Sequence, residues 1–211
     1  MGRDKATLPT PDGPLASIVV RALLGAGAHD VLLVGGAGAE LTASHLGTGA
    51  SEGVEWVPDL WPGDGPLGGV ATAATARPDR ALVVCACDLP GITSDDLHPL
   101  VRAVSIPPTW TPGSPGTQGG TAEIAVVEVG GVAQWSVLAL GPSGAAAARR
   151  AFEAGERALR HIGGAAGLAV THLRPERPAA FADVDAPTDL PPGWTVGRVG
   201  SPERRSEAGS G

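Results

Sequence analysis

Apolar residues along this chain come in short runs, each closed by glycine, proline or a carboxylate. Residues 14–24 (PLASIVVRALL) have the spacing of a helix with proline in its first turn, and Gly25-Ala26-Gly27 ends it. Residues 30–34 (DVLLV) are an apolar run of strand length, closed by Gly35-Gly36. A short helix is expected around residues 40–46, then a strand at residues 54–57 (VEWV) that ends on Pro58-Asp59. The segment from Trp61 to Gly69 reads as a loop opening an alanine-rich helix that runs to Ala76. Residues 80–87 (RALVVCAC) are the strongest strand and end at Asp88; their continuous apolar character predicts burial on both faces.

Residues 94–104 read as a helix with Ser94 as N-cap and acids in the first turn. A long loop is expected at residues 105–120. Strands at residues 123–129 and 134–140 then flank Gly130-Gly131, a hairpin signal. Residues 145–161 read as a helix, 168–173 as a strand and 181–185 as a last short strand. From Gly193 onward the composition is that of a disordered tail. Strands thus alternate with helices, with one hairpin inserted late. This order predicts an α/β domain over residues 1–192 and a tail over residues 193–211. The domain is expected to hold an open, mostly parallel sheet with an antiparallel element near one edge. Ligands of such sheets bind beyond the carboxyl ends of the strands. That singles out Gly35-Gly36, Asp59, Asp88, Asp183 and Asp185.

Composition narrows the picture. A length of 211 residues suffices for one domain with a real core. A net charge of −7 argues against a nucleic-acid partner. No apolar run is long enough to cross a bilayer and no secretory leader is visible, so a reduced, cytoplasmic protein is expected. The 32 glycines and 20 prolines are spread between apolar runs and read as turns. The chain uses a single lysine, Lys5, against fourteen arginines. Lysine is a compact point charge on a flexible stem, whereas arginine is a planar fork. That isolation makes Lys5 a candidate for a role, with codon bias as the plain alternative.

An aspartate that ends a buried apolar strand is poorly explained by packing, because an unpaired buried carboxylate is costly. Asp88 is the clearest case, and Ser94 and Asp95 are better placed than it is to cap the following helix. Asp183 and Asp185, two residues apart on the expected strand, would point to one face and could hold a metal together. They could equally be a solvated strand end. Cys85 and Cys87 share a face, but no second pair completes a zinc set, so they read as small core residues. The five histidines are scattered, and no Walker-type phosphate loop occurs.

The motifs in order are Met1-Gly2-Arg3-Asp4-Lys5-Ala6, Asp59, Gly65-Pro66-Leu67-Gly68-Gly69, Cys87-Asp88-Leu89-Pro90, Ala154-Gly155-Glu156-Arg157 and Asp185-Ala186-Pro187-Thr188-Asp189-Leu190. Together they resemble the molybdenum cofactor guanylyltransferase family, from residue 1 to about residue 190. The opening motif is shared with other nucleotidyltransferases; the G-P-L-x-G loop followed by C-D-x-P is more specific. The resemblance implies a Rossmann-like three-layer sheet of the nucleotidyltransferase type. It also implies a reaction in which GTP and molybdopterin give the guanine dinucleotide cofactor and pyrophosphate. Lys5 would contact the GTP phosphates, Asp59 would contact the nucleotide, and Gly65, Pro66, Leu67 and Gly68 would lie near the guanine. Asp88 would hold Mg²⁺, with Asp185 as a second candidate ligand, and Lys5 and Asp88 would be the catalytic pair. Molybdoenzymes or their chaperones would be the partners that receive the product.

Two departures stand out. The family opens with a strand and an L-A-G-G-x-S-x-R loop, whereas this sequence starts at the methionine of R-M-G-x-D-K. The first strand is therefore expected to be missing near the middle of the sheet, leaving two strands without a partner. Asp183 and Asp185 also stand where the family often carries asparagines. Related transferases that use CTP with the same cofactor, or a sugar phosphate as acceptor, are the nearest alternatives. An alternative of another class is an inactive fragment read from a wrong start codon.

Overall fold

The computed structural model describes residues 5–36, 42, 44–46, 53–105, 122–185, 189 and 194. A 3-10 turn, Lys5–Thr7, leads into a small antiparallel hairpin of β1 (Pro9–Thr10) and β2 (Gly13–Pro14). Here Pro14 belongs to the hairpin and not to the helix expected around it. The Asp12-Gly13 turn sets this up: Gly13 has φ +112° and the Thr10 hydroxyl donates to its carbonyl at 2.7 Å. Helix α1 follows at Ala16–Gly25. Strands β3 (Val31–Val34) and β4 (Val54–Val57) pair in parallel, Val31 opposite Val54. Of the short helix expected between them, residues 42 and 44–46 are helical; the rest lies outside the described residues, as do the loop at 106–121 and the tail apart from Trp194.

Helix α2 (Pro66–Ala76), strand β5 (Leu82–Cys85) and helix α3 (Ser94–Val104) come next. The N-cap of α3 is Thr93, one residue before the expected Ser94. Asp96 completes a capping box with it, accepting from both the Thr93 N–H (2.9 Å) and its hydroxyl (2.6 Å). Strands β6 (Ile124–Val129) and β7 (Val132–Leu140) form the expected hairpin, with Gly130 and Gly131 both at positive φ. Helix α4 (Pro142–Glu153) ends well short of the expected residue 161, because Gly155 turns the chain at φ +97°. A 3-10 turn, Leu159–His161, a short helix α5 (Ile162–Ala166) and strand β8 (Val170–Leu173) complete the order. The last expected strand is instead a 3-10 turn, Pro178–Phe181, followed by residues 182–185, which form no strand.

Strands β5, β7, β6 and β8 form one sheet in that order. Strand β7 runs antiparallel to both its neighbours, and β6 and β8 are parallel. The antiparallel strand is thus interior to this sheet, because the β6–β7 hairpin inserts β7 between β5 and β6. Alternate residues feed two separate cores. Ala125, Val127, Val137 and Ala139 face α1 and α3, while Ile124, Val126, Leu138 and Leu140 face α2 and α4. The result is a three-layer α/β fold. Helix α4 comes so close to the sheet that a Cβ on Gly144 would collide with the Glu123 carbonyl.

Between β3 and β5 the sheet is interrupted. The two strands are not paired with each other, and a cavity of about 560 Å³ lies between Val31–Val34 on one side and Leu82–Cys85 on the other. Val19, Val20 and Leu23 of α1, with Val101 and Val104 of α3, line one face; Val70 and Ala73 of α2 line the opposite one. Arg77, which leads into β5, donates to Asp30 at the head of β3 (2.9 Å), so both strands start at the same end. Helical layers are in place above and below, and among the described residues no strand lies between these two co-directional edges. This also explains why β5, expected to be buried on both faces, is only half-buried along its length.

Candidate active site

The carboxyl ends of the strands gather the first group of candidates. The Lys5 ammonium donates to Asp88 Oδ2 at 3.0 Å and to Asp185 Oδ1 at 2.6 Å. These residues are 83 and 180 positions apart in sequence, and a shared anchor explains their meeting. Leu8, three residues after Lys5, packs against Leu15 and Val184 in a small core that Trp194 also joins. The Val184 N–H in turn donates to the Asp88 carbonyl at 3.0 Å. Val184 is fully buried between the exposed Asp183 and Asp185, so packing of one valine sets the carboxylate beside it. The Asp189 carboxylate accepts from the Asp185 N–H (3.0 Å) and braces that segment.

Hydrogen bonds to Asp185 first and Asp88 second hold the Lys5 ammonium well above the usual lysine range, fully charged at neutral pH. Asp88 keeps 17% of its side chain exposed and Asp185 77%, so Asp88 is the fixed member and Asp185 the solvated one. Of the two aspartates expected to share a face, Asp185 joins the group and Asp183 stays exposed on the surface. Two carboxylates converging on one cation are a hard-oxygen donor set of the kind Mg²⁺ takes. No group of three His, Cys, Asp or Glu side chains that could hold a metal occurs among the described residues. A magnesium ion here would therefore draw its remaining oxygens from phosphates and water.

Asp59 and the Gly65–Gly68 segment form a second cluster. Asp59 follows β4, and its Oδ1 accepts from the Trp61 N–H and from the Thr72 hydroxyl, each at 3.0 Å. The expected loop is shorter than its motif: Gly65, at φ +80°, is the N-cap of α2, and Pro66, Leu67 and Gly68 already belong to the first helical turn. The Leu67 side chain is fully buried, so only its backbone could meet a ligand. The structure thus brings Lys5, Asp88 and Asp185 into one contact group and holds Asp59 in another.

Two residues to which the sequence assigns no role brace this loop. Thr72 is one of two threonines in an alanine-rich helix and the buried one, while Thr75 only bonds back to the Ala71 carbonyl, so the sequence carried no signal for it. Arg157, in a motif already noted, reaches Asp64 (3.3 Å) and lies over the Phe152 ring, 4.3 Å from its centroid. Phe152 also stacks on Trp61 at 4.8 Å. Backbone N–H groups of Ala158 and Arg157, with His161, hold the Glu156 carboxyl down at about 2, which fixes the turn carrying Arg157. Burial pushes the Cys85 thiol up to about 12, and its side chain packs against the α1 and α3 core. No helix among the described residues is long and apolar enough to cross a membrane.

None of the curated proteins matches the chain in sequence. The fold resembles the crystal structure of molybdopterin-guanine dinucleotide biosynthesis protein A from Archaeoglobus fulgidus, with a TM-score of 0.62 and 19% identity over 89% of this chain and 87% of that one. It also resembles a nucleotidyl transferase from a Methanothermobacter species (TM-score 0.64, 18% identity, 88% and 81% covered). A Mycobacterium tuberculosis protein crystallised with manganese is similar too (TM-score 0.58, 17% identity, 89% and 90% covered). At such identities these likenesses speak for the fold. The sequence itself, over residues 1–170, matches the MobA-like NTP transferase domain. With its motifs set at the strand ends of this three-layer fold, the chain belongs to the MobA-like nucleotidyltransferases.

Proposed function

We propose that this protein transfers GMP from GTP to molybdopterin, forming the guanine dinucleotide cofactor and releasing pyrophosphate. The observation that carries the reading is the Lys5 ammonium set between Asp88 and Asp185 beyond the end of β5. In the transfer, an oxygen of the pterin phosphate bonds to the α-phosphorus of GTP. The bond from that phosphorus to the bridging oxygen breaks, and pyrophosphate leaves with the electron pair. Lys5 supplies a fixed positive charge for the phosphates, while Asp88 and Asp185 are the residues that would hold Mg²⁺. The metal would neutralise phosphate charge when bound; manganese in the M. tuberculosis neighbour supports a divalent cation. Asp59 accepts hydrogen bonds from the nucleoside, and the N-terminal turn of α2 at Gly65–Gly68 lies against the base. The product would then pass to molybdoenzymes or their chaperones in the cytoplasm.

The test is turnover with molybdopterin and either GTP or CTP, followed by pyrophosphate release. GTP-dependent release is expected. Release with CTP alone overturns the choice of nucleotide, and release only with a sugar phosphate overturns the acceptor. Absence of GTP binding by calorimetry favours the inactive-fragment reading.

A further inference from the structure

We propose that Thr72 is a positioning residue for the nucleotide, acting through Asp59; the inference rests on the function proposed above. Thr72 is 2% exposed and lies on α2, on the helical turn after Gly68. Its hydroxyl has one proton and two lone pairs to place. The proton goes to Asp59 Oδ1 at 3.0 Å, and a lone pair accepts the Leu60 N–H at 3.2 Å. The Trp61 N–H donates to the same Oδ1 at 3.0 Å. One side chain therefore fixes both the carboxylate and the backbone that follows it.

The geometry has a consequence for binding. Both donors engage Oδ1, so the carboxylate cannot rotate freely about its last bond. Oδ2 is left as the acceptor for donor groups of a nucleotide, a ribose hydroxyl or a base N–H. A carboxylate oriented before the ligand arrives loses less freedom on binding than one that must be ordered. Helix α2 starts at the Gly65 cap, so Thr72 also ties Asp59 to the helix whose first turn the proposed function sets against the base.

A valine keeps the shape of Thr72 but removes the hydroxyl, leaving the Leu60 N–H without its acceptor; a serine keeps the hydroxyl. Thr72→Val is expected to weaken GTP binding, measured by calorimetry with Mg²⁺, about tenfold. KM should rise by a similar factor with kcat within about twofold, and Thr72→Ser should bind within about twofold of the native protein. The discriminating measurement is a double-mutant cycle. In an Asp59→Ala background, Thr72→Val should add almost nothing if it acts through Asp59. A full additional tenfold loss in that background overturns the proposal. So does Thr72→Val binding GTP as well as the native protein does. Failure of the native protein to bind GTP overturns the proposed function and, with it, this inference.

Discussion

The two pieces of the sheet are built from equally apolar sequence and end up in different environments. In β6 and β7, Ile124, Ala125, Val126 and the run Val137–Leu140 are all 0% exposed. In β3 and β4 only Val31 is buried, at 5%, and the remaining residues are half-buried or exposed. The difference is one of neighbours. Strand β7 has a partner on each side and a helix layer on each face, whereas β3 has β4 on one side and a cavity on the other. An apolar run says that a strand wants burial; only its place in the sheet decides how much it receives. The candidate site straddles this boundary, with Asp88 after β5 of the filled sheet and Asp59 after β4 of the open one.

The sharpest test of the contrast is a matched pair of truncations. Leu138→Ala, in the filled sheet, is expected to lower unfolding free energy by about 3 to 4 kcal/mol, because a well-packed site cannot collapse around the loss. Leu33→Ala, beside the cavity, should cost about 1 kcal/mol. Equal losses in urea unfolding would erase the distinction. Asp88→Asn tests whether the boundary residue serves chemistry more than folding. Transfer should fall by about a hundredfold or more, with the thermal midpoint nearly unchanged. A large drop in midpoint would make Asp88 structural.

A milder effect should come from filling the cavity. Fusing a five-residue apolar strand and a glycine-rich connection ahead of Met1 should raise unfolding free energy by about 2 kcal/mol. It should also slow amide hydrogen exchange at residues 31–34 and 82–85 while leaving 124–126 as they were. No added protection at either edge would show that the cavity does not seat a strand. The smallest effect concerns Glu156. Its folded pKa is depressed to about 2, so its contribution to stability is complete above the ordinary carboxylate value and is lost as pH falls from about 4.5 toward 2. A Glu156 chemical-shift titration centred near 4.5 would contradict this, and Glu156→Gln should flatten acid stability only in that window.

Much of this was legible in the chain. Strand and helix order followed from apolar runs and their punctuation, and the strand-end rule pointed to Asp59 and Asp88. Lys5 stood out because nothing else in the sequence is a lysine. What escaped depends on contacts between distant segments. The anchoring of Lys5 and Asp185 through Leu8, Leu15 and Val184 joins both ends of the domain, and no local pattern encodes it. Alternation alone could not choose Asp185 over Asp183, because the expected strand there does not form; the family resemblance was what singled out Asp185. Thr72 and Arg157 escaped because their roles are to hold other residues in place. A threonine in an alanine-rich helix and an arginine after a turn have many structural uses, and only the distances to Asp59 and Asp64 reveal these.

The gap between β3 and β5 also bears on how molecules of this protein treat one another. A strand edge with unpaired N–H and C=O groups is a template for any extended chain that reaches it, and natural sheets usually hide or charge such edges. Among the described residues two such edges face each other across apolar walls, with no proline or charge among Val31–Val34 or Leu82–Cys85 to discourage pairing. The expected consequence is that strands from another copy compete for this gap as concentration rises, and concentration-dependent light scattering measures it.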